Sequence, residues 1–220
     1  MPVEKDTIVV VASGQADPAV RDHLPAGAYV IAADGGVDCA LRLGLRISVA
    51  VGDFDSVSET GLAAVEAAGG RVERHPEAKD ETDLELALDV ALELGTGRIV
   101  VVADPGGRLD HLLGVVHLLG HPRYAHVEID ALLGQASVHV IRGERMLTGS
   151  PGELISLLAL HGPARGVSTE GLVYPLRAEP LDAGSSRGIS NVFATREAHV
   201  TVVSGVLVAV RPGLVERRPE

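Results

Sequence analysis

The sequence predicts an open-sheet, Rossmann-like α/β domain followed by a smaller all-β sandwich, and three observations carry that expectation. Short apolar runs alternate with helical patterns up to about residue 120. Beyond about residue 131 the rhythm turns to strands punctuated by Gly, Pro and Ser. The composition is 46% hydrophobic with three Tyr, two Phe and no Trp, so the cores must be built from Val, Leu, Ile and Ala. At 220 residues the chain is one large domain or two small ones, counting roughly 150 residues per domain. The boundary is expected near residue 130, giving domains over 1–130 and 131–220.

In the first domain, residues 7–12, 29–33, 48–51 and 98–103 are rich in β-branched side chains and almost continuously apolar. Such runs suit strands buried on both faces of a parallel sheet. Helix signals fall between them. Ser56 with Glu59, and Thr82 with Glu85, have capping-box spacing. After Thr82, residues Leu84, Ala87, Leu88, Ala91 and Leu92 share one helical face, and Gly95 supplies a stop. Strand and helix in alternation imply right-handed βαβ units. In the second domain, residues 136–142, 153–160, 164–169 and 199–210 read as strands, and Ser204-Gly205 reads as the tip of a hairpin over 202–207. The tail after Pro212 is expected to fray.

Several classes of function are excluded. A net charge of −11 repels phosphate backbones, so a general nucleic-acid binder is not expected. The single Cys39 allows neither an intrachain disulfide nor a site of several thiolates, which suits a reducing compartment. The apolar run from Ile8 to Ala12 is too short for a signal peptide and follows Glu4 and Asp6; it reads as a strand leading into a Ser13-Gly14-Gln15 loop. No run approaches the ~18 residues needed to span a bilayer. The expectation is a cytoplasmic protein with no membrane partner.

Acidic residues gather where the strands end, the edge at which open α/β sheets bind ligands. Asp34 follows one strand and precedes Gly35-Gly36. Asp53 and Asp55 follow another in Gly52-Asp53-Phe54-Asp55-Ser56. Asp104 and Asp110 flank Gly106-Gly107-Arg108 after a third, and Asp80 and Asp83 stand at a helix start. If the strand continues through residue 55, Asp53 and Asp55 share one face and Phe54 takes the other. Two like charges at ~4 Å repel by about 4 kcal/mol at an effective dielectric of ~20. Protonation or a bound cation must relieve that repulsion, and oxygen-only ligands favour Mg²⁺ or Mn²⁺. Taken singly, each acid could be no more than a turn former or helix cap; their common address is the stronger signal.

These residues resemble the thiamine pyrophosphokinase (thiamine diphosphokinase) family. The likeness rests on an ordered set of motifs: Asp34-Gly35-Gly36, Gly52-Asp53-Phe54-Asp55-Ser56, Lys79-Asp80-Glu81-Thr82-Asp83 with Glu85, and Gly107-Arg108-Leu109-Asp110-His111. In the second half it continues with Gly171-Leu172, Tyr174-Pro175-Leu176, Gly184-Ser185 and Gly188-Ile189-Ser190-Asn191. The resemblance implies a homodimer with active sites between subunits, and Mg²⁺-dependent transfer of a pyrophosphoryl group from ATP to the thiamine hydroxyl, leaving AMP. By motif it implies Asp53, Asp55 and Asp83 as metal ligands, with Asp80, Arg108 and Asp110 in the catalytic set. It implies Asp34, Gly35, Gly36, Lys79, Gly106, Gly107, Arg108 and His111 around the nucleotide, and Ser185, Ser190 and Asn191 on thiamine. Asp110 orients the alcohol or a water in this scheme, whether a general base exists stays open, and His111 is either active or a polar support. The chain departs from the family pattern at Val115, where an Asn is common, and in having no Trp against the thiamine rings; Tyr174 and Phe193 are the aromatics left in the second half. Three rival readings remain: a pyrophosphokinase of another small alcohol such as a hydroxymethyl-pterin, a non-catalytic nucleotide and metal sensor, and an aspartate-dependent phosphatase. The last lacks the usual Gly-Thr, since Ser56-Val57 follows Asp55.

Overall fold

The β-branched runs become parallel strands in the computed structural model, which describes residues 7–12, 14, 16–104 and 106–213. In chain order the first part comprises β1 (Thr7–Val11), β2 (Tyr29–Ala33), α1 (Gly36–Arg42), β3 (Ile47–Gly52), α2 (Glu59–Ala67), β4 (Arg71–Arg74), α3 (Asp83–Glu93), β5 (Arg98–Ala103), α4 (Leu109–Leu119) and β6 (Glu128–Leu133). The strands lie in the order β4-β3-β2-β1-β5-β6, all parallel. Ile8, Val9, Val10 and Val11 are completely buried, as a strand covered on both faces requires. The chain winds outward from β1 to β4 and then returns to the other side of β1. This differs from the 3-2-1-4-5-6 order of Rossmann folds because the short β4 extends the first arm before the return. Since every strand points the same way, all their carboxyl ends share one edge.

Capping follows the sequence at one helix and departs from it at another. Thr82 Oγ1 accepts from Glu85 N at 3.2 Å, and Leu84, Ala87, Leu88 and Ala91 of α3 face the core. The cap of α2 is Ser58, not the expected Ser56. Ser58 Oγ accepts from Gly61 N at 3.0 Å, and Asp38 of α1 holds that serine by its hydroxyl at 2.7 Å and its N–H at 3.0 Å. A tertiary tie between α1 and α2 thus selects the cap.

The second part is β-rich: β7 (Ala136–Ile141), β8 (Glu144–Thr148), β9 (Leu154–Glu170), β10 (Glu179–Leu181), β11 (Asn191–Val192), β12 (Glu197–Thr201) and β13 (Ser204–Arg211). Its strands lie in the order β7-β13-β9-β12-β8, antiparallel throughout, with β10 and β11 also on β9. Where the sequence suggested two strands around Gly162-Pro163, β9 runs on through an irregularity in its register with β13. The expected 202–207 hairpin is absent. Strands β12 and β13 flank β9 on opposite sides, and Ser204 pairs with Arg165 instead of tipping a turn. Non-local pairing with the long central strand outweighs the local turn signal. Side chains along β9, including Ile155, Leu157 and Val167, meet Phe193, Val200 and Leu207 in one core. Arg211, buried there, donates from Nε to Glu153 Oε1 at 2.7 Å and lies over the Phe193 ring.

By compactness, one unit takes in the described residues up to Val115 with His126–Gly134, and the other takes in Val116–Ala125 and the described residues from Gln135 onward. Most of the Ser13-Gly14-Gln15 loop and the tail from residue 214 lie outside the described residues. Gly36 opens α1 so close to β1 that a Cβ there would stand 2.1 Å from the Val11 carbonyl oxygen. Gly36→Ala is therefore expected to destabilise the chain by about 1–3 kcal/mol, lowering Tm by several degrees in a thermal melt.

Candidate active site

Three carboxylates converge at the edge where β2, β3 and the start of α3 come together. Asp34 directly follows β2, and its N–H continues the ladder to Val51 O at 2.9 Å. Asp53 follows β3, and Asp83 is the first residue of α3. Their ligand oxygens all lie within 4.8 Å of one another. Backbone geometry makes this possible. Asp34 and Phe54 adopt φ of 42° and 63°, values uncommon for any non-glycine residue. Gly52, at φ 148°, leaves the centre clear: a Cβ there would come to 3.2 Å from Asp83 Oδ1 and from Asp34 N.

The positive φ at Phe54 overturns the expected alternation. Strand β3 stops at Gly52, Phe54 turns inward beneath Arg74, and Asp55 is turned out to solvent, where its carboxylate accepts from Ser56 Oγ at 2.7 Å. Asp55 is therefore outside the three-carboxylate group, although its N–H donates to Asp53 Oδ1 at 3.2 Å. Asp80 is exposed on the turn before α3, also outside the group. Lys79 is the cation brought in: its Nζ lies 3.2 Å from Asp53 Oδ2 and 2.9 Å from Asp83 Oδ1.

Electrostatics sort the three acids. Burial, joined by the charges of Asp83, Asp55 and Asp53, raises the Asp34 pKa above the usual carboxylate value despite a backbone hydrogen bond from Gly35. The Asp55 N–H, followed by Lys79, lowers that of Asp53. Burial pulls the Lys79 ammonium down, but pairing with Asp83 and Asp53 more than offsets it, so its pKa is raised. Asp34 Oδ1 is buried with no hydrogen-bond partner, an acceptor position suited to a cation.

The remaining nucleotide candidates lie after β5. Arg108 grips Asp110 with two hydrogen bonds, 3.0 Å from Nε and 2.7 Å from Nη2, and both side chains are exposed. The guanidinium holds the Asp110 carboxyl far below its ordinary value, which makes it a poor proton acceptor. Gly106 and Gly107 form an exposed turn with open space beside them, and His111 is exposed on α4. Gly35 has an ordinary helical φ of −54°, and the need for Gly36 is explained by its packing on β1.

In the second unit, Asn191 does something the sequence did not reveal. Its Oδ1 accepts from Tyr174 N at 3.0 Å and Val192 N at 2.8 Å, while Nδ2 donates to Tyr174 O at 2.8 Å. The amide oxygen is fully occupied, so Asn191 positions Tyr174 rather than offering that oxygen to a ligand. Tyr174 is 63% exposed, whereas Phe193 is 1% exposed in the core. Ser190 takes φ 59° and donates its N–H to Ser156 Oγ; the Ser185 hydroxyl accepts from Arg187 N.

Comparison with known proteins bears on both units. The family model for the thiamin pyrophosphokinase catalytic domain matches residues 21–131, and that for the thiamin pyrophosphokinase vitamin B1 binding domain matches residues 138–207. The chain belongs to the thiamin pyrophosphokinase family. It is 29% identical over 209 residues to the thiamine pyrophosphokinase of Bacillus subtilis (strain 168), covering 93% of this chain and 98% of that protein. A crystal structure of the Bacillus subtilis thiamine pyrophosphokinase superposes with a TM-score of 0.82 at 28% identity, covering 95% of this chain and all of that one. One from Geobacillus thermodenitrificans gives 0.79 at 27% identity, covering 96% and 98%. The chain is thus a thiamine diphosphokinase-type enzyme with the two-domain fold of its family. The pterin, sensor and phosphatase readings find no support in these relatives.

The Asp34 geometry has a pH consequence. A carboxyl whose folded pKa is raised penalises the folded state above that pKa, and the penalty disappears as pH falls toward the unfolded value. Asp34→Asn is expected to raise Tm by a few degrees at pH 7.5, and thermal melts should show the gain shrinking toward pH 4.

Proposed function

We propose that the protein transfers the pyrophosphoryl group of ATP to the hydroxyl of thiamine in a magnesium-dependent reaction, forming thiamine diphosphate and AMP. The observation that carries this reading is the Asp34, Asp53 and Asp83 group beside Lys79, in a chain matched by both family domains. Residues 1–130 form the ATP- and metal-binding catalytic part and residues 131–220 the thiamine-binding part. The donors are all carboxylate oxygens and include the buried, unpartnered Asp34 Oδ1, which fits a hard divalent cation such as Mg²⁺ or Mn²⁺. Bound there, the ion would supply charge compensation between the carboxylates and the phosphates.

The chain's own residues contribute mainly positioning and positive charge. In the reaction the thiamine hydroxyl gives up its proton to solvent as its oxygen bonds to the β-phosphorus, the bond from that phosphorus to the oxygen bridging it to the α-phosphate breaks, and AMP departs with that oxygen. Lys79 and Arg108 are the cations for the phosphate oxygens, and the guanidinium fork of Arg108 can take two oxygens once it exchanges Asp110 for phosphate. The turn at Gly106-Gly107 leaves the backbone open to the nucleotide. In the thiamine-binding part Tyr174 offers the exposed ring, held by Asn191, and Ser185 and Ser190 are the hydroxyl candidates. The functional form is a homodimer with active sites shared between subunits, working in the cytoplasm; among the described residues no helix is long and apolar enough to cross a membrane.

Incubation with ATP, Mg²⁺ and thiamine should release AMP and thiamine diphosphate; release of ADP or orthophosphate instead would overturn the reading. Asp83→Asn is expected to lower kcat by about 100-fold or more, since loss even of a residue supporting a metal ligand costs about 10–100-fold. Asp55→Asn should cost much less in the same assay. Tyr174→Ala should raise the KM for thiamine roughly 3–10-fold, as loss of an aromatic contact implies, and leave the KM for ATP nearly unchanged.

A further inference from the structure

Seventeen of the nineteen basic side chains are Arg, and Lys5 and Lys79 are the two Lys. Lys79, the sole lysine among the described residues, stands against the carboxylate group with its side chain only 11% exposed. Three oxygens surround its ammonium: Asp53 Oδ2 and Pro76 O accept hydrogen bonds at 3.2 Å, and Asp83 Oδ1 stands in ion-pair contact at 2.9 Å. An ammonium so surrounded is held against carboxylates rather than turned toward a phosphate. It also stands on carboxylates that a divalent ion in the same group must reach. The two cations therefore compete for Asp53 and Asp83.

We propose that Lys79 is a resident counter-ion. It neutralises Asp53 and Asp83 until a divalent cation takes their oxygens, and that exchange releases the ammonium toward the phosphates. The inference rests on the reading of Asp34, Asp53 and Asp83 as a divalent-cation site. The choice of lysine follows from the task. A point charge on a four-carbon stem can pivot away from fixed carboxylates, whereas a guanidinium grips with two parallel bonds. Two partly buried pairs, Arg98 with Asp130 and Arg211 with Glu153, use arginine instead. At the exchange point the acids are held by β3 and by the first turn of α3, and the lysine sits in the connection between β4 and α3, so the cation is the partner free to move. Metal entry and phosphate capture are then coupled, and linkage makes that coupling reciprocal.

The test uses the full chain stripped of divalent ions and titrated with Mn²⁺ alone, the free ion being read by electron paramagnetic resonance. Lys79→Met should bind Mn²⁺ about tenfold more tightly than the unaltered chain, and Lys79→Arg no more tightly. Should the Met variant not fold, the unaltered chain provides a second readout through reductive methylation followed by peptide mass spectrometry, with Lys5 as internal reference. Lys79 should be methylated slowly without Mn²⁺ and at least about fivefold faster with it. Equal or weaker Mn²⁺ binding by Lys79→Met, or methylation unmoved by Mn²⁺, overturns the counter-ion role while Mn²⁺ binding that is lost in Asp83→Asn keeps the metal site. No Mn²⁺ binding by any form removes both.

Discussion

Repulsion among carboxylates at one corner of the parallel sheet is the constraint on which the rest of the site depends. Three acids with oxygens within 4.8 Å of one another, partly shielded from water, each pair repelling by several kcal/mol at a modest effective dielectric, do not come together of their own accord. The fold imposes the meeting. Asp34 and Asp53 are delivered by adjacent strands whose registers align Ala33 with Val51, and Asp83 by a helix that packs across those strands. The local backbone also departs from its comfortable regions, with Asp34 and Phe54 on the left-handed side. Strain of this kind persists only where surrounding structure over-determines it, and here buried strands on both sides do so.

Charge compensation follows from that crowding. Lys79 and Arg108 are each already engaged with aspartate, Lys79 in the cluster and Arg108 with Asp110. Any anion that either of them binds must compete with an aspartate. The net charge of −11 already counts those pairs, so compensation for an anionic ligand has to act at short range, inside the site.

The second unit solves a different problem, how to expose a large aromatic ring without letting it wander. Asn191 is buried and clamps both the N–H and the carbonyl of Tyr174, so the backbone is pinned while the ring stays in solvent. Phe193, two residues on, goes the other way and anchors the core beneath Arg211. Neither assignment could be made from residue type, since an aromatic in a strand-rich segment is as fit for a core as for a binding face.

Much of this architecture was legible from local pattern. The β-branched runs, the Thr82 cap, the change of rhythm after the first domain and the placing of acids at strand ends are all properties of neighbouring residues, and short-range sterics and apolar periodicity are enough to specify them. What the chain order left open depended on partners far away in sequence. Asp38, twenty residues upstream, chose Ser58 over Ser56 as a cap. Strand β9 separated β12 from β13 and abolished the expected hairpin. A single left-handed residue, Phe54, sent Asp53 into the cluster and Asp55 out of it. Motif and spacing could name the acids because composition records chemistry. Which of them meet in one cluster was decided by backbone torsion and strand register, which only the packed chain sets.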